Sequence, residues 1–204
     1  PWVKMSCSPI GKFCDLTRYS SNGWNAYDKV CQDAQGWLRD GLMDQLYPMM
    51  YFRNNQFYPF AINWSEGSYG KTVVPGLGIY SLDPREGKWQ IGDVTREMHF
   101  LRQIGLGHAF FRSKFFTDNT KGLYDYVTEY INQYPALVPP MTWMGAKRPA
   151  APKSLRVEYG GSTRLEWSGS TPYYNIYSSR EYPVDVNDAR NLVAQRVERK
   201  SLVI

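Results

Sequence analysis

The sequence predicts an α/β fold of four β-α units, half the complement of a (β/α)8 barrel, followed by an incomplete all-β sandwich. Three observations predict it. Up to about residue 145, near-continuous apolar runs alternate with stretches whose apolar residues recur at helical spacing, the pattern of a parallel sheet with helices outside it. Arg148-Pro149-Ala150-Ala151-Pro152 then forms a stiff Pro/Ala linker. Beyond it only strand alternation is left. The boundaries read from the sequence are 1–146 for the half barrel, 147–153 for the linker and 154–204 for the partial β domain. The 204 residues are too few for a whole barrel, which takes about 250, and 154–204 falls short of the roughly 100 residues of a complete sandwich.

The elements are justified in chain order. Residues 2–9 form the first apolar strand, opening on Pro1-Trp2-Val3 as if in mid-strand. Tyr27, Val30, Ala34, Trp37 and Leu38 lie at helical spacing and predict one helix ended by Gly41. DQLYPMMY, residues 44–51, is the second strand. A short helix carries Phe57, Phe60, Ile62 and Trp64, with Pro59 expected in its first turn. TVVPGLGIY, 72–80, is the third strand, made irregular by Pro75 and two glycines. Asp93 is the expected N-cap of a helix bearing Val94, Met98, Leu101 and Ile104. HAFFRSKFF, 108–116, is the fourth strand. A last helix, about 117–134, aligns Leu123, Val127, Tyr130 and Tyr134. In the β domain, Leu155, Val157 and Tyr159 alternate up to a Gly160-Gly161 turn, and strands follow at 164–168, 173–177, 193–197 and 201–204. An open four-stranded sheet exposes edges and a face, so a missing N-terminal half barrel or a second copy is expected to cover it.

Composition narrows the chemistry. There are 24 Lys and Arg against 19 Asp and Glu, a net charge of +5, but the basic residues are scattered and no nucleic-acid partner is expected. No apolar run reaches the roughly 18 residues of a membrane span. Three cysteines without CxxC spacing and two histidines argue against a zinc ribbon, a three-histidine metal site and a Ser-His-Asp triad, so no metal or cofactor is expected. The distinctive feature is 16% aromatic residues, tyrosine foremost. Aromatic faces pack on the C–H faces of sugars while tyrosine hydroxyls hydrogen-bond, although core packing uses the same residues.

The segments SPIGKF (8–13), GWNAYDKV (23–30), MDQLYPMMYF (43–52), VVPGLGIY (73–80) and GLGHAFFRS (105–113) resemble a bacterial glycoside-hydrolase-like family, glycosyl hydrolase-like 10, also called domain of unknown function 187. The tail, with Trp167, YNIYSS and YPVDVNDARNLVA, resembles the fibronectin-type-III-like domain that often follows its barrel. Met49 stands where the family pattern usually has Gln. The resemblance implies the C-terminal half of a (β/α)8 TIM barrel plus the start of a fibronectin-type-III-like domain. It also implies an exported protein (periplasmic, surface lipoprotein or secreted), though no signal stands in this segment. The implied activity is glycoside hydrolysis of a bacterial or dietary polysaccharide by carboxylate acid/base catalysis. The alternative is a non-catalytic carbohydrate-binding or scaffold protein on a degenerate barrel.

Active sites of such barrels lie at the C-terminal strand ends. There this sequence places Ser8, Tyr51, Arg53, Tyr80, Arg112 and Lys114, the expected substrate-binding residues. None is a carboxylate, whereas glycoside hydrolysis uses two, about 5 to 9.5 Å apart. Asp44, at the start of its strand, reads as an anchor, and Asp15, Asp28, Glu66, Asp83 and Glu86 as surface carboxylates. No acid/base pair is assigned, and this segment alone is expected to be inactive. Arg112 and Lys114 would favour an anionic sugar, or Arg112 would pair with a carboxylate of the missing half. Trp89 and Tyr69 are expected at an outer rim, and Trp2, Trp24, Trp37 and Trp64 in the core.

Overall fold

The computed structural model describes residues 3–145 and 147–204, so the expectations for Pro1 and Trp2 lie outside the described residues. The chain divides into two compact units, Pro1–Ile131 and Asn132–Ile204.

In the first unit, β1 (Ser6–Cys7), β2 (Gln45–Leu46) and β3 (Thr72–Val73) pair in parallel in that order, and β4 (Gly76–Leu77) pairs in parallel with β5 (Ala109–Phe110). Pro75 separates β3 from β4, yet the backbone bonds run on through the break. Val74 N–H donates to Leu46 O at 2.8 Å, and Gly76 N–H to Pro48 O at 2.8 Å. Ile10 and Met49 bridge in parallel further along the first two strands. The strands are shorter than their apolar runs because prolines 9, 48 and 75 remove ladder donors.

The helices pack Leu38, Phe57, Phe60, Trp64, Val94, Met98 and Leu101 into one core with Leu46, Val73 and Leu77. Several boundaries differ from expectation. The first expected helix is two, α1 (Ala26–Val30) and α2 (Ala34–Arg39). Asn25 and Asp33 each accept a backbone N–H as N-caps, and Cys31 turns left-handed at φ 55° between them. These caps satisfy the end groups that one long helix would have bonded internally. In α3 (Tyr58–Glu66) Pro59 stands in the first turn. The N-cap of α4 (Ile91–Gln103) is Gln90. Asp93 sits at N3, its carboxylate accepting the Gln90 N–H in a capping box. The fourth strand ends by Phe110 and Ser113–Thr117 form a short helix, α5, because helical spacing buries Phe115 and leaves Arg112 and Lys114 in solvent. The last helix is broken, with α6 (Leu123–Tyr126) passing into a π-helical turn at Val127–Ile131. Its buried stripe is Leu123, Val127 and Ile131, while Tyr130 and Tyr134 are exposed.

The second unit is antiparallel. β6 (Lys153–Tyr159) pairs with β7 (Thr163–Ser168) across the Gly160-Gly161 turn, and β10 (Ser201–Val203) adds to β7. β8 (Tyr174–Tyr177) pairs with β9 (Leu192–Val197). A cleft of about 620 Å³ in this unit is lined by Leu155, Val157, Leu165, Trp167, Tyr174 and Ile176 among others. Trp167 Nε1 and Tyr174 Oη are buried without hydrogen-bond partners.

Candidate functional site

Three aromatic rings, one from each of three neighbouring strand ends, meet where the parallel strands stop. Tyr51 follows β2, Tyr80 lies in the 3-10 turn Ile79–Leu82 after β4, and Phe111 follows β5. Tyr51 and Phe111 stack with centroids 5.1 Å apart and planes at 15°. Tyr80 meets both edge-on, at 5.9 Å from Tyr51 and 6.0 Å from Phe111. Backbone bonds set this spacing, since Phe111 N–H donates to Leu77 O and Tyr80 N–H to Phe111 O. The glycines of the VPGLG segment make the room. A Cβ on Gly78 would lie 2.9 Å from Tyr51 Cβ, and one on Gly76 would lie 3.4 Å from the Tyr51 ring. Phe111 remains 46% exposed, so the cluster is open to solvent on its side. Burial, and the neighbouring Tyr80, push the Tyr51 hydroxyl above its ordinary pKa.

The charged side chains that follow these strand ends in the chain are paired. Arg112 donates to Glu86, and its guanidinium lies 5.2 Å from the Phe115 ring centroid. Lys114 pairs with Asp118 one helical turn on in α5. Arg53 donates to Asp93 Oδ2 at 3.1 Å and lies over the Trp89 ring at 5.2 Å. Asp93 also takes a bond from Arg96 at 2.9 Å. Burial alone would push the Asp93 carboxyl up, but the Gln90 N–H and Arg53 hold it below its ordinary value. Hydrogen bonds from Arg85 bring Asp83 down to about 2. These carboxylates are therefore anions at neutral pH, not proton donors.

Of opposite character is Glu97, on the buried face of α4. Burial, reinforced by the Asp93 charge, pushes it up to about 9, and its Oε2 has no hydrogen-bond partner. At 1% exposure it does not reach the strand-end surface. Lys12 is equally enclosed beside the loops after β1 and β2. Its ammonium donates to Gln56 Oε1 at 2.5 Å and to Asn22 O at 3.3 Å, and lies 4.1 Å from the Phe52 centroid. Burial lowers its pKa against the pull of Asp15.

The residues expected from the sequence are thus distributed unevenly. Tyr51 and Tyr80 come together, and Arg112 lies next to Phe111. Ser8 is at its strand end, but its hydroxyl donates to Tyr47 O at 2.6 Å. Lys114 is on a helix and not on a strand face, because the chain turns helical after Arg112. Trp89 is buried beneath Arg53 instead of standing at a rim, while Trp24 is 68% exposed instead of in the core. Asp44 accepts the Met5 N–H at 2.8 Å, an anchoring contact at the start of β2. The run HAFFRSKFF reads as one buried strand, so the sequence does not single out Phe111. The signal that could have found it is the Arg that follows, which marks the strand end. Among the described residues no group of three or more His, Cys, Asp and Glu side chains gathers as a metal site, and no helix is long and apolar enough to cross a membrane.

No family model matches the chain. The chain is similar to a Bacillus subtilis (strain 168) protein named glycosyl hydrolase YngK, 24% identical over 201 residues. The match takes in 87% of this chain and 39% of that protein, so the chain spans well under half of its relative's length.

Proposed function

We propose that this chain is a segment of a glycoside-hydrolase-like protein and that its strand-end face binds a carbohydrate. The observation that carries this reading is the Tyr51–Tyr80–Phe111 cluster, half-exposed at Phe111 and followed in the chain by Arg112, which pairs with Glu86. A ring face packs against the C–H face of a sugar while flanking donors and acceptors take its hydroxyls. The similarity to a protein named glycosyl hydrolase supports the same substrate class. Four parallel strands, counting β3 and β4 as one strand interrupted at Pro75, with helices between them fit half of a (β/α)8 barrel, and in such barrels this end carries the site. The remainder of that barrel, in the longer protein, would cover the open sheet.

The pairing of the strand-end carboxylates favours binding over acid/base work by this segment. A general acid needs a raised pKa and access to the leaving oxygen. Asp83 and Asp93 are ionised, and Glu97 is protonated but enclosed. Catalysis by the whole protein would draw its acid and base from outside these residues. The test is affinity gel electrophoresis of the chain on a panel of soluble polysaccharides, with Phe111→Ala and Tyr80→Ala as variants. Retardation by at least one polymer, lost in Phe111→Ala while the far-ultraviolet spectrum is kept, is the expected result. No retardation by any polymer would overturn the reading.

A further inference from the structure

We infer that the second unit self-associates, two copies of this chain pairing antiparallel along β6 about a two-fold axis at Val157. β6 is an edge of its sheet, paired with β7 on one side and with no strand on the other among the described residues. All seven of its residues are exposed. The ladder shows which of its backbone groups are free. Thr163 N–H donates to Ile204 O and Trp167 N–H to Lys200 O, so Thr163, Leu165 and Trp167 turn their backbone groups towards β10. Arg164 and Glu166 alternate with them and bond to β6, where their partners are Glu158 and Arg156. Val157 and Tyr159 therefore turn their N–H and C=O groups to the free edge. Such an edge is a template for a further strand.

The side chains fit a second copy as that strand. Leu155, Val157 and Tyr159 line the cleft and are 67%, 40% and 84% exposed. Arg156 and Glu158 lie on the other face of the strand. There the register sets Arg156 beside Glu166 and Glu158 beside Arg164, and Arg164 also bonds Glu166 at 2.9 Å. Opposite charges thus alternate across β6 and β7. An antiparallel copy of β6 centred on Val157 continues that alternation. Arg156 of each copy faces Glu158 of the other, Val157 faces Val157, and Leu155 faces Tyr159. Opposite charges and apolar pairs directly across a ladder are favourable, whereas like charges are not. An axis at Arg156 or at Glu158 would set like charges face to face. An axis between two residues would oppose the free N–H of Val157 to a residue already bonded to β7. The register at Val157 is the self-complementary one that a two-fold contact requires. The Gly160-Gly161 turn bounds it at one end and the ladder irregularity at Ser154, where φ is 55°, at the other.

The test is sedimentation velocity of the 204-residue chain at concentrations from about 1 to 500 μM, which span weak to moderate association. The expected result is a monomer that passes into a dimer as concentration rises. Val157→Pro removes an N–H that the β6–β7 ladder does not use, so the monomer should keep its fold and its dimer should be lost. Arg156→Glu sets like charges opposite each other at both symmetric positions and should weaken the dimer about tenfold. Far-ultraviolet spectra establish that each variant is folded. If Val157→Pro unfolds, Arg156→Glu decides alone, because its side chain is exposed. A monomer at every concentration would overturn the inference and leave the edge to a strand of another kind. A dimer unchanged in folded Val157→Pro or in Arg156→Glu would overturn it by placing the contact elsewhere.

Discussion

The ring of Tyr51 lies flat on that of Phe111, 5.1 Å between centroids, although the two residues are sixty positions apart and belong to strands that are not neighbours. The stack crosses over the irregular strand between them. There Gly76 and Gly78 have no side chain to obstruct it. A tight approach of this kind is a function of glycine that no larger residue can take over without moving its neighbour.

Gly78→Ala therefore tests the cluster directly. The added Cβ would sit 2.9 Å from Tyr51 Cβ and 3.3 Å from the Tyr80 ring. Overpacking of this order costs about 1–3 kcal/mol. Urea unfolding should show that loss, and polysaccharide retardation should weaken with it. Gly70→Ala, where the added Cβ meets nothing within 4 Å, is the comparison for backbone strain alone, since its φ is +73°.

Lys12 links the loops after β1 and β2 from an enclosed position. Lys12→Ala removes its methylenes and one of the two donors to Gln56 Oε1, the Asn22 N–H remaining, so the expected loss is about 3 kcal/mol, mostly from the cavity. Lys12→Met keeps most of the volume and should lose less, about 1–2 kcal/mol. Equal losses in the two variants, measured by urea unfolding, would assign the stabilisation to the ammonium alone.

Glu97 makes stability fall as pH rises. Its folded pKa of about 9 is above its ordinary 4.5, so the folded chain holds a proton that the unfolded chain releases. The contribution is complete below 4.5 and is lost progressively as pH climbs towards about 9. Glu97→Gln should remove that decline and melt higher than the parent at the alkaline end. Thermal melts across this interval check it, and parallel curves for the two proteins would refute the assignment.

His108 acts on the acid side. Burial, helped by Arg102, lowers its pKa to about 4 from 6.5. The folded chain keeps the ring neutral while the unfolded chain takes up a proton, so stability is lost as pH falls from 6.5 towards about 4. His108→Phe should flatten that limb of the stability profile, and an unchanged limb would show that other groups set it.

What the sequence by itself determined is the alternation of strands and helices up to about residue 131 and the antiparallel strands beyond the Pro/Ala linker, not every element within them. The 2.0 and 3.6 periods, Pro59 at a helix start and the Gly160-Gly161 turn depend on neighbours along the chain, and those survive in any tertiary setting. Tyr51 and Tyr80 were legible as strand-end residues for the same reason. The tertiary structure decided the rest. Glu86 is the surface carboxylate the sequence reads, but its partner Arg112 is set only by the fold; Trp89 reads as a rim residue until Arg53 covers it; and the stack of Phe111 on Tyr51 is legible only in the fold. Each of these depends on partners twenty-five to sixty residues away, and long-range packing leaves no period in the local sequence for such pairs to be read from.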